Sequence, residues 1–256
     1  MPVALTIAGS DPSGGAGLQA DLKTFHAHQV YGMSVVTLLT VQNTQSVDAI
    51  EMLTPDLVLA QLEAVLEDIP ANAAKTGALG DAAMIEAIAR RAASFPFPLV
   101  VDPVMISKHG APLMDPAAVE VLRRMLLPNA FLLTPNQQEA ACLAAMDVVD
   151  LPSMEAAAHR LRQMGAENVL VKGGSRGAES IDLLVTGDRT IAIGGPRIPT
   201  RNTHGTGCVL SAAITARLAR GESLFDAVDH AKTFLVEAIR TAPPLGRGLG
   251  PVNLIQ

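Results

Sequence analysis

Residues 202–211, NTHGTGCVLS, set Gly205, Gly207 and Cys208 immediately before an apolar-periodic stretch, 209–219. That placement reads as a loop entering a helix. Gly205 and Gly207 let the backbone approach a ligand closely or take φ > 0. The first amides of the helix have no partner within it and point outward, backed by the positive end of the dipole. An anion is the natural occupant. Cys208 stands at the helix start, where a thiol pKa is expected to fall. The chemistry this suits is one in which phosphate charge develops. The same residues also read as a small buried cysteine between turn glycines that cap a packed helix, and the stretch alone leaves both readings open.

Two further clusters bear on the same chemistry. In TPNQQE (residues 134–139), Asn136 and Glu139 are three apart and share a helix face. Both offer oxygen, the ligand type of Mg²⁺, which binds largely through waters and substrate phosphates. The plainer reading is a helix start with Asn136 as cap and Glu139 as its capping-box partner. In VKGG (residues 171–174), Lys172 ends an apolar run beside two glycines. There it meets a phosphate as a point charge or is simply solvated. The turn GSDPSGGAG (residues 9–17) is neither GxGxxG nor GxxxxGK[ST], so no nucleotide fingerprint is established. Its glycines serve either a tight turn or a ligand.

The elements that must position these residues alternate nearly throughout. Strands are predicted over 3–8, 33–41, 73–76, 99–102, 131–134 and 168–172, with a hairpin, 181–186 and 190–193, turning at Gly187-Asp188. Helices are predicted over 18–28, 55–67 with Thr54 as N-cap, from Asp81 to about 93, 116–127, onward from PNQQE to about 145, 153–164, 209–219 and 224–241. Such alternation predicts an α/β fold with a mostly parallel sheet covered on both faces. No repeat and no linker-like stretch divides the chain, so residues 1–256 are expected to form one domain. Polar or glycine-rich clusters (GSDPSGG, QNT, KTG, DPVM, TPNQQE, KGG) follow the strand ends, the edge where open parallel sheets bind ligands. The tail, 243–254, reads as an ordered loop or a fraying end.

Composition narrows the classes. With 49% hydrophobic and 17% charged residues among 256, a large core is available; aromatics at 3% make it aliphatic. A net charge of −6 without a basic run argues against nucleic acid or an anionic membrane surface. An anionic substrate must therefore be met by local donors. Cys142 and Cys208 form no CxxC pair and no zinc site, a pattern that fits a reducing cytoplasm. No basic n-region and no run of about 18 apolar residues is present, so neither a signal peptide nor a membrane span is expected.

The chain closely resembles the hydroxymethylpyrimidine/phosphomethylpyrimidine kinases of the ribokinase superfamily. The resemblance lies in LTIAGSDPSGGAGLQADLKTF, YGMSVVTLLTVQNT, KTGALG, DPVM followed by KHG, LLPNAFLLTPNQQEA, VLVKGG, NTHGTGCVLSAAI and GRGLGPVN, in order over nearly the whole chain. It implies a ribokinase-like three-layer αβα sandwich and two ATP- and Mg²⁺-dependent phosphorylations of one small pyrimidine, in thiamine biosynthesis. It implies that Gly205, Thr206, Gly207 and Cys208 form the anion hole, with Cys208 as base, and that Lys172 contacts phosphate. Asn136 and Glu139 become the phosphate and Mg²⁺ pair, joined at the metal by Asp102. Gly9, Asp21, Gln42, Ala78 and Val104 become substrate contacts. An amide at Gln42 suits an aminopyrimidine edge, which offers one donor and one acceptor. A cytoplasmic homodimer is also implied. Two departures bear on substrate range: Ala78 stands where the family usually has Met, and Gln45-Ser46 where Leu-Gly is more usual. A related pyridoxal kinase and a non-catalytic pyrimidine- or nucleotide-binding module are the alternatives. The retained Cys208, Asn136, Glu139 and Lys172 count against the second, and the missing GxGxxG counts against an NAD-dependent oxidoreductase.

Overall fold

The computed structural model describes residues 1–107, 110–176, 178–187 and 189–255. Lys108 and His109 of the KHG stretch, and Asp188 of the hairpin turn, lie outside the described residues. Among the described residues, nine strands form one sheet in the order β3-β2-β1-β4-β5-β6-β7-β8-β9. Its centre is parallel: β1 (Val3–Ser10), β2 (Tyr31–Gln42), β4 (Ala73–Thr76), β5 (Leu99–Val101), β6 (Leu132–Leu133) and β7 (Asn168–Arg176) run the same way. At the edges, β3 (Val47–Met52) pairs antiparallel with β2, and β8 (Glu179–Thr186) lies antiparallel between β7 and β9 (Arg189–Pro196).

Alternation along each strand sends side chains to both faces. Leu5, Ile7, Val35, Leu99, Val101 and Val169 face one layer, made of α2 (Pro55–Asp68), α3 (Ala82–Ala92), α4 (Ala118–Val121), α5 (Gln137–Ala144) and α6 (Leu151–Gln163). Ala4, Ala73, Val100, Leu132 and Leu170 face the other layer, made of α1 (Gly17–Ala27), α7 (Thr206–Ala219) and α8 (Leu224–Arg240). With both faces covered, the inner strands can be apolar runs without exposing them. The expected αβα sandwich is what forms.

The differences from expectation have local causes. β3 escapes a hydrophobicity reading because it is an edge strand carrying Asp48 and Glu51, charges that suit an edge. The stretch expected as one helix over 116–127 is α4 followed by a π turn (Leu122–Leu126) and a 3₁₀ turn (Leu127–Asn129). Pro128, which cannot continue a regular helix, sits at that break. α7 starts at Thr206, so Cys208 lies inside its first turn. The tail is ordered: Leu249 N donates to Thr44 O at 2.8 Å, and His204 N to Gly250 O at 3.0 Å.

One charged pair lies within this core. Lys75 in β4 and Asp21 in α1 are fully buried and meet at 2.7 Å, and Thr6 Oγ1 donates to the second Asp21 oxygen at 2.6 Å. Burial works against the Lys75 charge, but Asp21, with Cys208 and Asp102 beyond it, outweighs that and raises its pKa. Lys75→Met leaves Asp21 buried without its countercharge, which costs about 3–5 kcal/mol. In urea denaturation this single variant is expected to lose that stability, and Lys75→Met/Asp21→Asn to regain much of it. Equal losses in both would assign the defect to packing instead.

Candidate active site

The carboxyl ends of the parallel strands open into a cavity of about 1110 Å³. Each strand end delivers polar groups there: Ser10 at the end of β1 and Asp11 after it, Gln42 at the end of β2, Lys75 on β4 and the Gly77 backbone after it, Asp102 after β5, Asn136 after β6 and Lys172 on β7. The first turn of α7 closes the same cavity with Gly205, Thr206, Gly207 and Cys208. Every residue singled out from the sequence for a site role lines it: Gly9, Asp21, Gln42, Ala78, Asp102, Val104, Asn136, Glu139, Lys172 and the four of α7's entry.

Gly205 explains why the loop before α7 must be glycine. It caps the helix at φ 77°, and a Cβ there would overlap the Gly15 carbonyl. A Cβ on Gly15 would in turn reach 2.5 Å from His204 Cδ2. The glycines of the first turn therefore clear space for the His204 loop, so two distant segments pack backbone to backbone. The turn reading of GSDPSGGAG has that physical content.

Charge is concentrated opposite the helix entry. Asp102, 2% exposed, accepts from Lys172 Nζ at 3.0 Å and Thr134 Oγ1 at 3.3 Å through Oδ1, and from Ser211 Oγ at 3.1 Å through Oδ2. Burial alone would push its pKa up; Lys172, Lys75 and these bonds outweigh that and hold it below the ordinary range. A Cβ on Gly207 would stand 3.6 Å from Lys172 Nζ, so lysine and helix entry face each other. A second lysine, Lys232 of α8, pairs with Asp182 at 2.6 Å on the same cavity wall.

Asn136 and Glu139 form the capping box in full: Asn136 N donates to Glu139 Oε2 at 2.8 Å, and Glu139 N to Asn136 Oδ1 at 2.9 Å. Capping does not remove Glu139 from the cavity. Burial, against the pull of Lys172 and with a push from Asp102, raises its pKa to about 7. Asp21 sits on the cavity floor with no exposed surface, and both its oxygens are engaged by Lys75 and Thr6. Ala78 lies beside Gly9, where a Cβ would be 3.7 Å from that of Ala78. Val104 N donates to Asp102 O at 2.9 Å, and Thr206 Oγ1 to Thr203 O at 3.2 Å.

The expected fall in the Cys208 pKa is corrected. Burial raises it to about 11; Lys75 pulls it down, Asp21 and Asp102 push it up, and a bond from the Gly17 amide does not reverse the balance. Desolvation outweighs the helix dipole here, and Cys208 is a neutral thiol at pH 7. The sequence reading also passed over Asp11, Thr40, His204 and Lys75 as individual residues. Lys75 had a signal, since a lysine amid the apolar run AAKT requires a buried partner.

No group of three or more His, Cys, Asp or Glu side chains that could hold a metal occurs among the described residues, and no helix among them is long and apolar enough to cross a membrane. A helix N-terminus without a side-chain cap, lysines and buried carboxylates around one cavity suit the handling of an anionic group.

Comparison with known proteins agrees. The sequence profile described as phosphomethylpyrimidine kinase matches residues 11–253. The hydroxymethylpyrimidine/phosphomethylpyrimidine kinase of Synechococcus elongatus is 44% identical, over 99% of this chain and 97% of its own. The thiamine biosynthesis bifunctional protein ThiED of Geobacter sulfurreducens is 49% identical over 98% of this chain, which spans 52% of that longer protein. Among solved structures, the ADP complex of Bacillus subtilis pyridoxal kinase superposes with a TM-score of 0.91 at 37% identity, over 98% of this chain and 97% of that one. Fold and site thus define a ribokinase-like small-molecule kinase. Within that class, the chain belongs to the phosphomethylpyrimidine kinase family.

The raised Glu139 pKa has a sign. Because the folded value lies above the ordinary 4.5, Glu139 favours folding at low pH, and that contribution is lost as pH rises from about 4.5 through about 7. Glu139→Gln keeps an acceptor for the cap but no charge. The stability of the wild type relative to this variant is expected to fall over that range and level off above it, by thermal melting at stepped pH. Turnover of the variant is expected to drop at least ~10-fold, about 1.4 kcal/mol of barrier. Unchanged turnover would leave Glu139 with the capping role alone.

Proposed function

We propose that the chain uses ATP to phosphorylate the 5-hydroxymethyl group of 4-amino-5-hydroxymethyl-2-methylpyrimidine, and then the resulting monophosphate, within thiamine biosynthesis. The observation that carries this reading is one cavity holding both halves of the task. The α7 entry facing Lys172 suits phosphate, and the Gln42 amide suits an aminopyrimidine edge. Relatives named for both activities, 43–47% identical over nearly the whole chain, support it.

On this reading residues 1–256 act as one kinase domain. The amides of residues 205–208 and Lys172 hold the transferred phosphoryl group, and Asp102 keeps Lys172 charged and aimed. Mg²⁺ would neutralise phosphate charge. Glu139 and Asp102 are the carboxylates to hold it, and two carboxylates fit an ion bound mainly through water and phosphate oxygens. Asn136 supports Glu139 through the capping box. Gly9, Ala78 and Val104 line the ring site around Gln42, and Asp21 acts there through Lys75. Two cysteines without a disulfide support a cytoplasmic setting. Exposed Leu39 and Val41 on β2 support a homodimer.

Pyridoxal is the second ring this site would take. The superposition on the pyridoxal kinase and the small Ala78 favour it. The higher identity to relatives named for the pyrimidine keeps the first reading ahead.

The two steps separate the role of Cys208. The alcohol must lose a proton as it attacks, and a positioned base contributes ~10²–10⁴ in rate. The monophosphate oxygen is already ionised near pH 7 and needs only positioning and neutralisation. In single-turnover measurements with saturating ATP, Cys208→Ser is expected to slow the alcohol step strongly and the monophosphate step much less. With the thiol near 11, the wild-type alcohol step should climb with pH between 7 and 9, and the variant should lose that slope. Equal losses on both substrates would reduce Cys208 to a wall of the anion hole.

A further inference from the structure

Gln42 lies between two groups whose hydrogen-bonding roles are fixed by other partners. On one side is His204, 3% exposed, with Nε2 2.8 Å from Asp11 Oδ2. Asp11 already accepts from Ser13 N at 2.9 Å, Ser13 Oγ at 2.7 Å and Ala16 N at 2.8 Å. A carboxylate fed by three donors is ionised; burial pushes its pKa up, but the His204 and Ser13 bonds bring it below the usual value. Facing that anion, His204 Nε2 must carry a proton. On the other side is Thr40, whose Oγ1 lies 2.9 Å from the Ser10 carbonyl oxygen. A carbonyl only accepts, so the single hydroxyl proton of Thr40 is spent there. Toward Gln42 this hydroxyl offers a lone pair.

The structure sets Gln42 Nε2 3.2 Å from His204 Nε2 and Gln42 Oε1 3.2 Å from Thr40 Oγ1. Those contacts oppose donor to donor and acceptor to acceptor. The two ends of an amide are isosteric, and their identity follows from their neighbours. Turned by half a rotation, the amide relieves both: Nε2 donates to Thr40 Oγ1, and Oε1 faces the His204 N–H, which it shares with the nearer Asp11 oxygen. His204 and Thr40 come from unrelated parts of the chain, yet they demand the same orientation.

We infer that Asp11, His204 and Thr40 lock the Gln42 amide in one orientation, and that this lock makes the site specific for an amino group beside a ring nitrogen. The inference rests on the reading of Gln42 as the ring contact. One oxygen lone pair, on the His204 side, and one N–H, on the Thr40 side, remain for the ligand. They match an exocyclic amine followed by a ring nitrogen. A 4-oxo ring in its lactam form offers carbonyl and N–H in the reverse order. A free amide would turn over to fit it; a locked one leaves both groups unpaired, the arrangement that discriminates most strongly. His204 is thus a positioning residue that acts through Gln42.

The test is the ratio of kcat/KM for 4-amino-5-hydroxymethyl-2-methylpyrimidine to that for its 4-oxo counterpart. The wild type is expected to favour the amino ring by ~10²-fold or more. His204→Ala should cut that ratio at least ~10-fold, and Thr40→Val by a smaller factor with its melting temperature unchanged. A ratio unmoved in both variants, with both substrates slowed alike, overturns the lock and leaves His204 a packing role. Should His204→Ala not fold, an unchanged ratio in Thr40→Val overturns it alone. Gln42→Leu separates the failures: if it phosphorylates the amino ring normally, Gln42 is not the ring contact and the lock falls with it. A wild type active on neither ring refutes the proposed function itself.

Discussion

The structure depends on keeping charge at the carboxyl edge of a sheet that is otherwise sealed by two helical layers. Lys75 and Asp21 lie fully inside, Asp102 is buried against Lys172, and Lys232 meets Asp182 at the same edge. Taking such ions out of water costs several kcal/mol each, so each must be matched by a partner and by hydrogen bonds. The matching is close to complete around Asp102, where a lysine, a threonine and a serine share two oxygens. A set of paired charges packed this tightly gives a phosphate a preorganised field with little rearrangement. The same desolvation leaves Cys208 protonated and lifts Glu139 toward neutral pH.

The second constraint is the backbone contact between the loop after β1 and the loop before α7. Gly15 and Gly205 allow it, and the C-terminal tail holds it from outside through the His204–Gly250 bond. It brings Asp11 to His204 across 193 positions of sequence. The α7 entry and the Gln42 side of the cavity are therefore joined through His204, which precedes the Gly205 cap of α7 and touches Gln42.

Much of this was legible in the sequence because the signals were local. Apolar runs alternating with amphipathic stretches gave the layers, and Thr54 and Asp81 cap α2 and α3 as their types suggest. Polar clusters after strand ends pointed to the correct edge, since a parallel sheet leaves little other room for them. What stayed hidden was set by tertiary partners. Edge strand β3 has too little hydrophobic contrast to stand out. The Lys75–Asp21 pair spans 54 positions: the apolar neighbours of Lys75 signal its burial, but nothing local names its partner. The Cys208 pKa went the other way from its local cue because burial is a property of the whole fold. For Asn136 and Glu139 the cue fitted two roles, and the capping role is present in full while Glu139 still faces the cavity.

The most direct measurement is a competition. The wild-type protein is incubated with ATP, Mg²⁺ and equal amounts of 4-amino-5-hydroxymethyl-2-methylpyrimidine and pyridoxal, and products are followed by mass over time. The account predicts that the pyrimidine monophosphate rises and then falls as the diphosphate accumulates, with pyridoxal phosphate forming more slowly. Pyridoxal phosphate as the dominant product, or a monophosphate that never becomes the diphosphate, would contradict it.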